Sequence, residues 1–196
     1  EVGTIIGSDA QKTISSQLQG YVNDINTILK KTFNKDILVY AHGANSNLYR
    51  ASAQGAQFFH FTGHNAIVMT FSWPSAGHFL HYNTDVHHAE KTIPAFAQAI
   101  EFLAEHTDAE HINILAYSAG AQIAAPGLAY LRDQYPDVSA QELKQKLRIG
   151  EVYFAAPDTD YKPFVERYSK FKDIVARTTI NFNYNDKILG FSAFQH

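Results

Sequence analysis

Ser118 is the residue whose surroundings most directly specify chemistry. It stands in Ala116-Tyr117-Ser118-Ala119-Gly120, a small-x-Ser-x-Gly pattern. A serine that is to attack a carbonyl has to be presented at a sharp turn. Such a turn strains the backbone and presses the flanking residues together, so the positions two before and two after must be small. The pentapeptide alone occurs by chance in many chains, and its first position here is Ala rather than Gly. Its setting narrows the reading. Ile112, Ile114 and Leu115 form the apolar run of a buried strand. Ala119, Ala121, Gln122, Ala124 and Ala125 are mostly strong helix formers. A strand before and a helix after are what the turn requires. The helix would also aim amide N–H groups at the place where an oxyanion develops.

Other residues with chemical potential lie at the ends of apolar runs. His42-Gly43 follows Asp36–Ala41. Alone, it reads as a tight turn. Paired with a serine turn, it reads as a loop supplying a backbone N–H to an oxyanion hole, with Gly43 allowing close approach. Ala44 would be that donor, and His42 a loop histidine rather than a base. Asp158 follows the strand 148–155, and Asp186 follows the β-rich segment 177–184. Either carboxylate could orient an imidazole, and either could equally be a turn or helix cap. His78, His81, His87 and His88 fall within eleven residues. Their spacing suits no standard zinc site, and Asp85 is the sole carboxylate among them. The expectation is a surface loop with no metal.

The elements that would position these groups alternate. Residues 9–31 carry Ile14, Leu18, Tyr21, Val22, Ile25, Ile28 and Leu29 at helical spacing. A strand over 36–41 precedes a helix over 47–61, with Asn45 or Ser46 as its cap. A second strand, 66–72, ends in Trp73-Pro74. A helix capped by Thr84 or Asp85 should break or restart at Pro94, with Thr92 as the new cap. Ser139-Ala-Gln-Glu142 is a capping-box pattern for a short helix, and 163–171 is helical. This alternation predicts a mainly parallel sheet with helices on both faces, a three-layer α/β sandwich. Right-handed crossovers put every strand's carboxyl end on one edge. The 36–41 strand belongs between the 66–72 and 111–117 strands, followed by 148–155 and then 177–184.

Composition bounds the function. The chain has 196 residues, is 45% hydrophobic and 18% charged, and carries a net charge of −3. It reads as one domain spanning 1–196, with no electrostatic case for nucleic acid or an anionic membrane surface. No cysteine is present, which removes disulfides and thiolate chemistry. No apolar run approaches the roughly 20 residues of a membrane span. The chain opens at Glu1, and Met69 is its sole methionine. It therefore reads as a processed form or an excised part of a longer chain. Cytoplasm and cell envelope both stay open, as does oligomeric state.

Taken together, the strand–His42-Gly43 unit, the Phe71-Ser-Trp-Pro-Ser75 stretch, the Ser118 turn, Ala155-Ala-Pro-Asp158 and Asn185-Asp186 resemble the α/β-hydrolase superfamily. More narrowly, they resemble a bacterial branch catalogued as a domain of unknown function. The resemblance covers roughly 36–189. It implies a serine nucleophile, Ser118, and an acid after a late strand, which favours Asp186 over Asp158. It also implies a histidine after a further strand. Ten residues follow Asp186, so the domain reads as C-terminally incomplete, lacking that last strand. The function implied is hydrolysis of an ester, thioester or similar acyl bond in a small-molecule substrate. Ala44 and Ala119 would hold the oxyanion, and no cofactor is called for. His42, Gly43, Trp73, Tyr82 and Tyr117 would surround the substrate, the aromatics as an apolar rim. The alternative is a binding or scaffold module that keeps the fold without a catalytic histidine.

Overall fold

The computed structural model describes residues 16–74 and 82–182, with 82–90 described by backbone alone. Among them, five strands form one parallel sheet in the order β2-β1-β3-β4-β5. These strands are β1 (Asp36–Ala41), β2 (Ala66–Phe71), β3 (His111–Tyr117), β4 (Ile149–Ala155) and β5 (Val175–Asn181). The helices are α1 (Ser16–Leu29), α2 (Leu48–Phe61), α3 (Tyr82–His106), α4 (Ala121–Asp133), α5 (Ala140–Leu147) and α6 (Tyr161–Phe171). The order and the parallel sense are those expected from the apolar runs, and the architecture is the three-layer α/β sandwich.

One face of the sheet holds the core. Ile37, Val39 and Ala41 of β1 lie in register with Ile112, Ile114 and Ala116 of β3, and all six are buried. Val152 and Phe154 of β4 continue the same face. Against it pack Phe96, Ile100 and Leu103 of α3, Ile123 and Leu128 of α4, and Phe164 and Phe171 of α6. Apolar burial of this extent supplies most of the drive to fold. On the other face, α2 packs over β2.

Several local expectations are corrected. Pro94 neither breaks nor restarts a helix, because α3 runs through it. Proline removes one ladder donor, but Phe96, Ala97, Ile100, Leu103 and Ala104 behind it are all buried in the core, and that packing holds the helix together. Thr84, Asp85 and Thr92 are therefore helix-interior positions, and the surface loop expected up to His88 gives way to helix at Tyr82. The cap of α2 is Asn47, whose side chain accepts the Arg50 N–H at 2.9 Å. Neither Asn45 nor Ser46 fills that place, and Asn45 has φ +55°. The Ser139–Glu142 capping box is present. The start of the helix expected from residue 9 lies outside the described residues.

Two polar devices brace the sheet, one against its helices and one across its strands. Arg148 closes α5 with a left-handed φ of +50°. Its guanidinium donates to the Ala104, Thr107 and Ala109 carbonyl oxygens at 2.8, 3.2 and 2.9 Å, which satisfies the end of α3. Asn113 lies where the β3–β4 ladder shifts register, between Ile112 and Ile114. Its Oδ1 accepts the Glu151 N–H at 2.8 Å, and its Nδ2 donates to Asp36 at 3.2 Å.

Candidate active site

The carboxyl ends of β1, β3 and β4 meet at Ser118. β3 ends at Tyr117, a 3₁₀ turn spans Ser118–Gly120, and α4 begins at Ala121. Ser118 has φ +51°, in the left-handed region that costs a side-chain-bearing residue about 1–2 kcal/mol. Such strain persists only where the surroundings enforce it. Here Gly120 permits the close packing that holds the turn against β1. A Cβ on Gly120 would lie 2.3 Å from the Ala41 carbonyl oxygen and 3.0 Å from that of His42. Gly43 closes on the turn from the other side, where a Cβ would stand 3.1 Å from both Ser118 Cβ and Tyr117 Cδ1. The two glycines thus let the end of β1 and the serine turn touch. Ala119 is the second residue of the short helical turn, and the first N–H groups of a helix have no intrahelical acceptor.

The loop after β4 comes to the same place. Ala156 adopts φ +45°, and its N–H donates to the Asn181 carbonyl of β5 at 2.7 Å. Two residues later, the Asp158 N–H donates to the Ser118 carbonyl at 3.1 Å, with Asp158 buried. The left-handed Ala156 thus turns the chain back toward the serine turn. Asp186 lies outside the described residues.

His42 and Trp73 are joined more closely than the sequence suggested. His42 is fully buried and Trp73 is 3% exposed. Their rings stack at 5.2 Å with 9° between planes. The Trp73 main-chain N–H donates to His42 Nε2 at 3.2 Å, and the indole Nε1–H donates to the His42 carbonyl at 2.8 Å. His42 Nδ1 lies 2.8 Å from the Gly43 carbonyl oxygen. Trp73 is therefore part of the core rather than an apolar rim, and His42 is not presented to a ligand. Tyr117, by contrast, is 45% exposed beside Gly43. Tyr82 opens α3, and its side chain lies outside the described part.

The histidines divide by edge. His60 lies in the last turn of α2 and His64 just before β2. His106 ends α3, and His111 opens β3. All four are at the amino edge of the sheet, opposite Ser118. His78, His81 and His196 lie outside the described residues, as do the side chains of His87 and His88. A cleft of 310 Å³ lined by Leu18, Tyr21, Met69, Phe71 and Phe102 opens between α1, α3 and β2; neither the serine turn nor the His42 loop lines it.

The family model for alpha/beta hydrolases of unknown function (DUF900) matches residues 19–195. The chain belongs to that family. Its sheet order, its serine turn after β3 and its glycine-bearing loop after β1 are the parts of the α/β-hydrolase fold that this chain displays. No curated protein and no solved structure matches the chain. Among the described residues, no helix is long and apolar enough to cross a membrane.

Proposed function

We propose that this α/β hydrolase is a serine hydrolase cleaving an ester, thioester or similar acyl bond. The observation that supports it best is the left-handed Ser118 at the β3–α4 junction, packed between Gly43 and Gly120, the second of which leaves no room for a Cβ. Ser118 Oγ would attack the acyl carbonyl as an imidazole takes its proton. The Ala44 and Ala119 N–H groups would hold the oxyanion. The leaving group departs with the proton, and water then releases the acyl group. Asp186 would orient the imidazole, with Asp158 as the second candidate. The base would come from His78, His81, His87, His88 or His196, since the amino-edge histidines are at the wrong end of the sheet. Tyr117 would contact the acyl or aryl group.

A fluorophosphonate probe tests this reading. It should label the wild-type chain on Ser118, located by peptide mass, and leave Ser118→Ala unlabelled. An unlabelled wild type would favour a non-catalytic binding module. The observation on that side is that no described histidine side chain stands free at the carboxyl edge, His42 being committed to backbone partners.

A further inference from the structure

We propose that His42 is a positioning residue for the oxyanion hole, acting through the Gly43–Ala44 peptide without touching substrate; this rests on the reading of Ser118 and Ala44 above. The bonding partners assign its tautomer. A main-chain N–H only donates, so Nε2, which receives that of Trp73, carries the lone pair. A carbonyl oxygen only accepts, so Nδ1, facing Gly43 O at 2.8 Å, carries the proton. One neutral tautomer satisfies both.

The Gly43 carbonyl belongs to the same peptide as the Ala44 nitrogen. That peptide is trans, and in a trans peptide C=O and N–H point in opposite directions. Holding Gly43 O on the imidazole therefore directs the Ala44 N–H away from it. Gly43 itself lies against Ser118 and Tyr117, so this peptide leaves alongside the serine turn. A glycine-flanked peptide is otherwise free to rotate. Rotated, it would present its carbonyl oxygen where the N–H belongs and repel an oxyanion instead of holding it. His42 blocks that rotation. Trp73 in turn holds His42, by the stacked ring and by both of its own N–H groups. Trp73 thus serves the site from within the core.

Two substitutions separate this role from a merely structural one. Asn places an amide N–H near the Nδ1 position and keeps the bond to Gly43 O. Gln places an amide oxygen near the Nε2 position and keeps only the bond from Trp73. Each variant loses one of two backbone bonds, so thermal stability should fall by similar amounts. Phosphonylation of Ser118, which displaces fluoride and loads charge onto a phosphoryl oxygen, should not. We expect His42→Gln to react about 100-fold more slowly than wild type, the cost of a lost oxyanion donor. His42→Asn should stay within about tenfold of wild type. Equal rates in the two variants would overturn the proposal while leaving the Ser118 reading intact. An unlabelled wild type would overturn both. Independently of reactivity, long-range ¹H–¹⁵N spectra of the wild-type chain should place the imidazole proton on Nδ1, and a proton on Nε2 would sink the idea.

Discussion

The main-chain N–H of Asp158 donates to the carbonyl oxygen of Ser118 at 3.1 Å, so the loop after β4 buttresses the turn that carries the candidate nucleophile. This contact uses the Asp158 backbone, which a change of side chain need not disturb. It separates two tasks that one sequence pattern, an aspartate after a strand, leaves merged: holding the serine turn and orienting a base.

Asp186→Asn should therefore lower turnover by about 10⁴-fold, as loss of a triad acid does, with little change in melting temperature. Asp158→Asn should retain labelling of Ser118 within about tenfold of wild type. Paired kinetic measurements check this. Full activity in Asp186→Asn together with an inactive Asp158→Asn would reverse the assignment.

Gly120→Ala should cost about 3 kcal/mol of stability, at the upper end for overpacking. The added Cβ would meet the rigid Ala41 carbonyl at 2.3 Å rather than a side chain that can swing aside. Urea unfolding measures it. A loss below about 1 kcal/mol would mean that β1 and the serine turn can separate easily.

Arg148 offers a two-step test. Arg148→Ala should destabilise by about 2 kcal/mol, because three carbonyl oxygens around the end of α3 lose a charged donor. Arg148→Gly should be about 1 kcal/mol less harmful than Arg148→Ala, since glycine adopts φ +50° without a Cβ penalty. The two denaturation midpoints, compared directly, decide it. Alanine equal to or better than glycine would contradict the left-handed cap.

Tyr40 predicts an alkaline limit. It is buried, its hydroxyl donates to Gln54 Oε1 at 2.9 Å, and burial, with the neighbouring Tyr117, pushes its pKa up to about 12. The unfolded chain releases that proton near the ordinary value of about 10, whereas the folded chain keeps it. Stability from this group is thus whole below pH ~10 and is lost as pH rises from ~10 through ~12. Tyr40→Phe should flatten the fall of unfolding free energy across that window. An unchanged slope would show that Tyr40 ionises as easily folded as unfolded.

The fold was legible because its signals are local and redundant. Each of β1 to β5 is a β-rich run closed by a polar or small residue, and the helices between them leave a parallel sheet as the simple arrangement. The serine turn was legible for the same reason, since Ala116 and Gly120 announce it. What stayed hidden depends on partners distant in sequence. Nothing in Phe-Ser-Trp-Pro-Ser says that Trp73 points inward onto His42, thirty-one residues away. Pro94 reads locally as a break, and the tertiary packing of Phe96 and Ile100 outweighs that local rule. Within Asn45-Ser46-Asn47 three neighbouring polar residues compete to cap α2, and the backbone decides for Asn47. The Asp158 contact turns on a left-handed Ala156, which alanine's preferences do not foretell.

The contact between Gly120 and the Ala41 carbonyl would also limit how the proposed site could diversify. With no room for even a methyl group between them, the serine turn and the end of β1 travel as one block. A change of substrate cannot be accommodated by widening their separation. Selectivity has to be written in side chains that border the block without entering it, and Tyr117, open to solvent at its rim, is the first position where a new sequence could alter what is accepted and leave the chemistry in place.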